Sequence, residues 1–186
     1  MKKPSISNLL KILDKPALLK WANKKGLEGV DISAYTKKAM SDGTAIHNQI
    51  QSYLEDGVAF NDMYMQHCFE TFISDKEILG CEKEIETDYF VGRYDLKIRL
   101  KSNNKIILVD FKSTTSGANK KLYLENKLQL IAYGMAENCD GFAVVTLPDF
   151  SYIPFDITDR TPYEEIIKSL SNIYSLKKQI DNGTTN

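Results

Sequence analysis

An apolar run and an alternating stretch in the middle of the chain predict two neighbouring β-strands. Residues 106–109 are all apolar and mostly β-branched, which predicts a buried strand over residues 105–113. Residues 90–100 alternate between apolar and polar side chains, and the polar loop at 101–104 predicts a hairpin between the two strands. The expected apolar face comprises Phe90, Tyr94, Leu96, Ile98 and Leu100, and the charged face comprises Arg93, Asp95, Lys97 and Arg99.

Similar patterns predict the rest of an α/β fold. Further strands are expected at residues 77–87, 141–147 and 152–157. Helices are expected at residues 5–10, 16–25 (stopped by Gly26), 35–55 (interrupted at 41–43), 62–74, 122–137 and 163–179. Together these elements predict a mixed central β-sheet, built from an antiparallel three-strand meander, a crossover helix and further strands, and flanked by helices.

The chain is expected to form one domain over residues 1–186. We expect a helical N-terminal part over residues 1–75 and a sheet with its crossover helix over residues 76–158. A closing helix over residues 159–180 and a frayed tail over residues 181–186 are expected to follow.

Composition narrows the function classes. The 186 residues are 42% hydrophobic and 26% charged, with no apolar run long enough for a bilayer and no signal-peptide pattern, so we expect no membrane partner. The three cysteines have neither zinc nor iron–sulfur spacing and give no disulfide framework, which favours a reducing cytoplasm. A net charge of −1 gives no overall attraction to nucleic acid, so any such binding must depend on local basic patches.

Charged residues at the end of the predicted buried strand are the first candidates for chemistry. Asp110 and Lys112 are two residues apart and point to the same face, where burial is costly unless they pair or hold a ligand. Asp95 on the neighbouring strand can lie on the same surface, and two close carboxylates suit Mg²⁺ or Mn²⁺. An ordinary ion pair and a solvated Asp95 explain the same spacing.

Other candidates also have two interpretations. His47 lies beside the apolar stripe of its helix, and it is either a structural residue held by a hydrogen bond or a metal ligand. Trp21, among lysines, is either a core anchor or part of a surface for nucleic acid. The glutamates at 82, 84 and 86 share one face of their strand, which is expected to be a solvated acidic face; the alternative is that one of them joins the acidic site. The polar loop at 113–121 is a connector or contacts phosphates.

Four separated motifs then stand in one order: Gly43-Thr44-x-x-His47, Gly92-Arg93-x-Asp95, Val109-Asp110-Phe111-Lys112 and Gln129-x-x-x-Tyr133. This order resembles the PD-(D/E)XK nuclease superfamily and, within it, the RecB-like exonuclease branch. With Pro4-Ser5-Ile6 and Trp21 upstream, the chain is similar to phage exonucleases related to the mitochondrial genome maintenance exonuclease. The resemblance covers roughly residues 4–178 and implies a restriction-endonuclease-like sheet.

The resemblance also implies roles for single residues. Those matching metal ligands are His47, Asp95, Asp110 and the Phe111 carbonyl, and those matching catalytic residues are Asp95, Asp110 and Lys112. Nucleic-acid contacts are expected from Thr44, Arg93, Ser113, Gln129 and Tyr133. Glu84 is the candidate for an extra acidic ligand. Iron–sulfur members carry four cysteines, so no cluster is expected in this chain.

The expected function is therefore a Mg²⁺- or Mn²⁺-dependent DNA exonuclease. Its expected substrate is DNA, single-stranded or with free ends, during replication, recombination or repair in a bacterial or phage-infected cytoplasm. A non-catalytic DNA-binding or assembly subunit and a structure-specific endonuclease are the alternatives.

Overall fold

A computed structural model describes residues 3–113 and 122–183, and it shows a five-stranded mixed sheet with helices on both faces. The predicted α/β class is confirmed. The helices are α1 (Ile6–Leu10), α2 (Pro16–Leu27), α3 (Ile32–Asp56), α4 (Met63–Ile73), α5 (Leu124–Ala136) and α6 (Thr161–Asp181). The strands are β1 (Lys76–Glu86), β2 (Val91–Leu100), β3 (Ile106–Ser113), β4 (Gly141–Leu147) and β5 (Ser151–Phe155).

The strands lie in sequence order across the sheet. β1, β2 and β3 form the predicted antiparallel meander, and α5 carries the chain over to β4, which is parallel to β3. β5 pairs antiparallel with β4 at the edge. The strands that carry Asp95 and Asp110 are therefore direct neighbours, as the hairpin predicted.

Each face of the sheet has its own apolar core. Helices α1, α5 and α6 cover one face around Leu108 and Phe142, and α3 and α4 cover the other around Val109 and Phe69. None of the helices among residues 3–113 and 122–183 has both the length and the apolar content to cross a membrane.

The prediction of one continuous apolar face on β2 is wrong. Tyr94 belongs to the α5-side core, whereas Leu96 and Ile98 belong to the α4-side core. The β2–β3 ladder ends at the pair Leu96–Val109, so β2 loses its regular alternation just before that pair.

The predicted interruption of α3 is also wrong. The helix begins after Asp31, whose side chain accepts the Ala34 N–H at 3.0 Å, and runs unbroken to Gly57. Gly43 fits this long helix because a Cβ there would lie 3.3 Å from Ser113 Oγ, so the missing side chain permits close approach to β3.

Two other helix ends differ from the predictions. α2 passes Gly26 and ends at Leu27, before Gly29, which has φ +79°. α6 includes Asp181, predicted as tail, and residues 184–186 lie outside the described range.

Candidate metal centre and cleft

Where the β2–β3 ladder ends, the Asp95 side chain accepts a hydrogen bond from the backbone of β3. One step beyond the last pair, Asp95 lies opposite Asp110, and its Oδ2 accepts the Phe111 N–H at 2.7 Å. A side-chain oxygen thus replaces a carbonyl of the neighbouring strand, which turns the Asp95 carboxylate into the gap between the strands. The two carboxylates predicted to share a surface are brought together here.

Both carboxylates are withdrawn from water. Asp110 is 1% exposed and Asp95 is 8% exposed. Burial, followed by the charge of Asp110, raises the pKa of Asp95 to about 7, although His47 and Lys112 oppose the rise. Burial likewise raises the pKa of Asp110 against the attraction of Lys112. Without a further positive charge, the site therefore holds two carboxylates that resist ionising together.

One oxygen of this pair lacks a hydrogen bond. The Lys112 ammonium donates to Asp110 Oδ1 at 3.0 Å and lies 2.8 Å from Oδ2, but Oδ2 itself accepts no hydrogen bond in the described structure. A buried carboxylate oxygen that is held by an ion pair alone keeps a lone pair with which it can bind a metal cation.

A chain of hydrogen bonds from α5 fixes Lys112. Lys112 Nζ donates to Gln129 Oε1 at 3.2 Å, and Gln129 Nε2 donates to the Tyr133 hydroxyl oxygen at 2.9 Å. Gln129 and Tyr133 act together because four residues make about one helical turn. Burial raises the pKa of Tyr133, so its hydroxyl keeps its proton.

His47 reaches the same centre from α3. Its Nδ1 lies 3.0 Å from Glu82 Oε1 and 3.7 Å from Asp95 Oδ1, and its ring packs edge-on against Phe111. Burial lowers the pKa of His47, but the hydrogen bond with Glu82 and the charges of Asp95, Glu82 and Asp110 outweigh burial and raise it. His47 is therefore part of the acidic cluster.

The geometry suits a divalent cation. One ligand atom each from His47, Glu82 and Asp95 lies within 4.8 Å of the others. Asp110 Oδ2, which forms an ion pair with Lys112 but accepts no hydrogen bond, belongs to the carboxylate opposite Asp95. Oxygen and imidazole donors of this kind suit Mg²⁺ or Mn²⁺. Of the expected ligands, the structure groups His47 with Asp95. Asp110 lies outside the group of three, but its negative charge raises the pKa of His47 and the pKa of Asp95. A role for the Phe111 carbonyl stays a prediction.

Glu82 is the residue that sequence reasoning misplaced. Glu82 was expected on a solvated face, yet its side chain is only 7% exposed. Glu84, which was the candidate for an extra acidic ligand, is instead exposed at the cleft. The sequence held one signal: the predicted strands at 77–87 and 90–100 are close enough in the chain to form a tight hairpin. The observed register of that hairpin places residue 82 opposite Asp95.

A cleft of about 860 Å³ opens from this centre. Its lining includes His47, Glu82, Arg93, Asp95, Gln129 and Tyr133. Arg93 contacts Glu82 Oε2 through Nε at 2.8 Å and is 58% exposed.

Three of the five residues expected to contact nucleic acid, Arg93, Gln129 and Tyr133, therefore share one cleft. Thr44 and Ser113 are not part of its lining. Thr44 is exposed and donates to the Met40 carbonyl of its own helix. Ser113 lies at the end of β3, near Gly43, and the rest of the predicted phosphate-contacting loop, residues 114–121, lies outside the described range.

Trp21 is neither a core residue nor part of this cleft. It is half-buried against Tyr35, with ring centroids 5.5 Å apart, and α2 contributes no buried residue. The interpretation of Trp21 as a core anchor is therefore wrong, and its role in a surface for nucleic acid stays a prediction.

Comparison with known proteins adds little to this geometry. No protein family matches the chain, and no curated protein matches its sequence. The crystal structure of SSO0001 aligns with 92% of this chain and 76% of its own at a TM-score of 0.47 and 17% identity.

Proposed function

We propose that the chain is a metal-dependent deoxyribonuclease of the PD-(D/E)XK type. The observation that carries the proposal is the buried pair Asp95 and Asp110, raised in pKa, with one oxygen lacking a hydrogen bond and Lys112 alongside. Two buried carboxylates so close together lower the stability of the metal-free fold. A cation that binds them and takes part in catalysis would explain why the chain keeps both.

The cation would be held by His47, Asp95 and Asp110, and Mg²⁺ and Mn²⁺ both fit these donors. Bound there, a divalent ion supplies activation of water and neutralisation of phosphate charge. Lys112 places its ammonium beside the same carboxylates, where it stabilises negative charge that develops on a phosphate during cleavage. Gln129 keeps that ammonium in place, because its amide oxygen accepts a Lys112 proton.

The substrate we propose is DNA with a free, single-stranded end. Arg93 supports a phosphate contact because its guanidinium lies on the cleft wall and is mostly exposed. Glu84 lies opposite Arg93 in the β1–β2 ladder and is exposed on the same cleft wall, where its charge opposes the attraction of Arg93 for phosphates. The cysteines are free thiols, which supports a reducing compartment.

The test is degradation of end-labelled linear and circular DNA, single- and double-stranded, with Mg²⁺, Mn²⁺ or EDTA. We expect cleavage of linear single strands with either metal and none with EDTA. Cleavage of circles would replace the exonuclease with an endonuclease. Binding without cleavage under every metal would refute the enzyme and leave a DNA-binding module.

A further inference from the structure

Helix α2 presents an outward face that is both apolar and basic. The helix contributes no buried residue to either core. Leu19 and Leu27 are 66% and 82% exposed, and they lie on one face of the helix because their spacing in the sequence makes about two helical turns. Lys20 and Lys24 are exposed beside these leucines. We call the four residues the basic arm.

A second exposed apolar group lies at the far end of α3. Val58, Met63 and Tyr64 are each more than half exposed. Glu55 and Asp56 precede them in the last turn of α3, and the segment 55–64 has three acidic residues and no basic one. We call Glu55, Asp56 and the three apolar residues the acidic patch. Exposed apolar groups of this kind, when they are bordered by charge, mark interaction sites.

The segment that carries the acidic patch is held in place by the fold. Phe60, in the middle of the segment, is buried, and its N–H donates to Gln66 Oε1 at 3.0 Å. The Asn61 N–H donates to Gln49 Oε1 at 2.9 Å, and the Asp62 side chain caps α4. The surface is therefore preorganised, which lowers the entropic cost of binding a partner.

The basic arm and the acidic patch lie at opposite ends of α3. Trp21 contacts Tyr35, with ring centroids 5.5 Å apart, and this contact places the arm beside the start of α3. The acidic patch begins in the last turn of the same helix. At about 1.5 Å per residue, the axis from Tyr35 to Asp56 is about 30 Å long. The two surfaces therefore cannot cover each other within one chain.

Their opposite charges and shared apolar content suit a contact between two chains. We propose that two copies of this chain pair reciprocally, with the basic arm of each copy on the acidic patch of the other. When the two α3 helices are antiparallel, one arrangement makes both contacts at once, and two-fold pairs are the commonest oligomers. The inference is independent of the proposed function, since the cleft lining, as far as the chain is described, shares no residue with either surface.

A second copy suits the basic arm better than a DNA strand does. Single strands stack their bases on exposed aromatic rings. Trp21, however, is half-buried against Tyr35, and the apolar side chains that the arm exposes between its lysines are leucines. Phosphates would satisfy the lysines alone, whereas the acidic patch offers carboxylates to the lysines and apolar side chains to the leucines.

Charge reversal tests the pairing with two variants that should fail alone and succeed together. The arm variant carries Lys20→Glu and Lys24→Glu. The patch variant carries Glu55→Lys and Asp56→Lys. All four side chains are exposed, so we expect both variants to fold, which far-ultraviolet circular dichroism checks. Alone, each variant has an arm and a patch of like charge. In the mixture, each arm meets a patch of opposite charge.

Sedimentation velocity over about 5–500 μM protein, at low and at high salt, measures the association. The control carries Lys177→Glu and Lys178→Glu on α6, which change the net charge as the arm variant does. We expect wild type and control to dimerise alike, and more weakly at high salt. The arm and patch variants should each associate at least about 10-fold more weakly than wild type, and their equimolar mixture should return to within about 3-fold of it.

Three results would overturn the inference. They are a wild type that stays monomeric at every concentration, a mixture that associates no better than the single variants, and a control that dimerises as weakly as the arm variant. The other occupant of the arm has its own signature. If wild type is monomeric and the arm variant, unlike the control, loses affinity for single-stranded DNA in Ca²⁺, the arm contacts DNA instead of a second copy.

Discussion

Strands β3 and β4 lie side by side at the centre of the sheet, yet only one of them carries charge. All seven residues of β4 are buried and uncharged. β3 buries five consecutive residues, and one of them is Asp110, which lies beside Val144 in the parallel ladder, while Lys112 lies beside Thr146. The same position in the sheet therefore accommodates an apolar strand and a charged one.

The contrast separates what the fold requires from what the site requires. β4 shows that a central strand here is stable when apolar, as expected for a strand covered on both faces. The Asp110 carboxylate adds no packing and has an oxygen without a hydrogen bond. Under the proposed function, the charge on β3 serves the metal centre rather than the sheet, and substitutions on the two strands should have opposite consequences.

The largest effect is expected from Lys112→Ala on catalysis. Cleavage should fall about 10²- to 10³-fold, because the ammonium stabilises charge that develops only in the transition state. DNA affinity should stay close to wild type, whereas the unfolding free energy should fall by about 1–3 kcal/mol, because the buried Asp110 carboxylate loses the ammonium 2.8 Å from its Oδ2. The measurement pairs cleavage rate in Mn²⁺ with DNA affinity in Ca²⁺, with Lys168→Ala on α6 as the control. A rate that stays near wild type would contradict the role of Lys112.

The mirror substitution on β4, Val144→Asp, should damage the fold. Val144 is buried in the α5-side core, so a carboxylate there lies without a partner and next to Asp110. We expect a loss on the order of 3 kcal/mol in unfolding free energy, measured by urea denaturation. Val144→Ala measures the part due to a cavity. Equal losses in the two variants would mean that β4 tolerates charge as well as β3 does.

A smaller effect is expected in the pH dependence of the metal-free protein. The folded-state pKa of Asp95 is raised to about 7, above its value in the unfolded chain, so the folded state binds a proton more tightly. Its contribution to stability is fully present below about pH 4 and is lost as pH rises to about 7, at up to about 1.4 kcal/mol per pH unit.

Asp95→Asn isolates that contribution. Its amide oxygen can still accept the Phe111 N–H, and the titrating group is gone. The difference in unfolding free energy between wild type and Asp95→Asn, followed from pH 4 to pH 8, should change across this window. A constant difference would show that Asp95 ionises normally. The raised pKa of His47 also lowers the unfolding free energy as pH rises, but it does so near and above neutral pH.

The smallest effect is expected from Tyr133→Phe. The change removes the hydroxyl that accepts from Gln129 and should cost about 1 kcal/mol of stability. The same loosening of Gln129 should lower the cleavage rate about 3- to 10-fold through Lys112, with KM unchanged. Tyr174→Phe on α6 is a control outside the cleft lining. An effect confined to KM would instead indicate that Tyr133 contacts DNA.

Sequence patterns predicted the sheet well because its strands are apolar where both faces are covered. The bounds of β4, residues 141–147, matched the prediction, as did the meander and the crossover of α5. Asp110 and Lys112 were selected because charge at the end of an apolar run has few explanations, whereas Asp95 was selected from the charged face of the neighbouring strand.

The errors occurred where tertiary contacts override local preference. Gly43 signals a break in isolation, but in the fold it provides space against Ser113. Glu82 looks solvated by alternation, but a positive φ and two partners turn it inward. Neither the close approach nor the φ value can be read from residue types alone.

The most direct test of the central claim is to measure cleavage and stability together for Asp110→Asn. The variant keeps the shape of Asp110 and removes its charge. We predict that Mn²⁺-dependent cleavage of single-stranded DNA falls at least about 10³-fold, while the unfolding free energy stays the same or rises by about 1 kcal/mol. Retained cleavage, or a loss of more than about 2 kcal/mol in stability, would show that Asp110 belongs to the sheet and not to a metal-dependent active site.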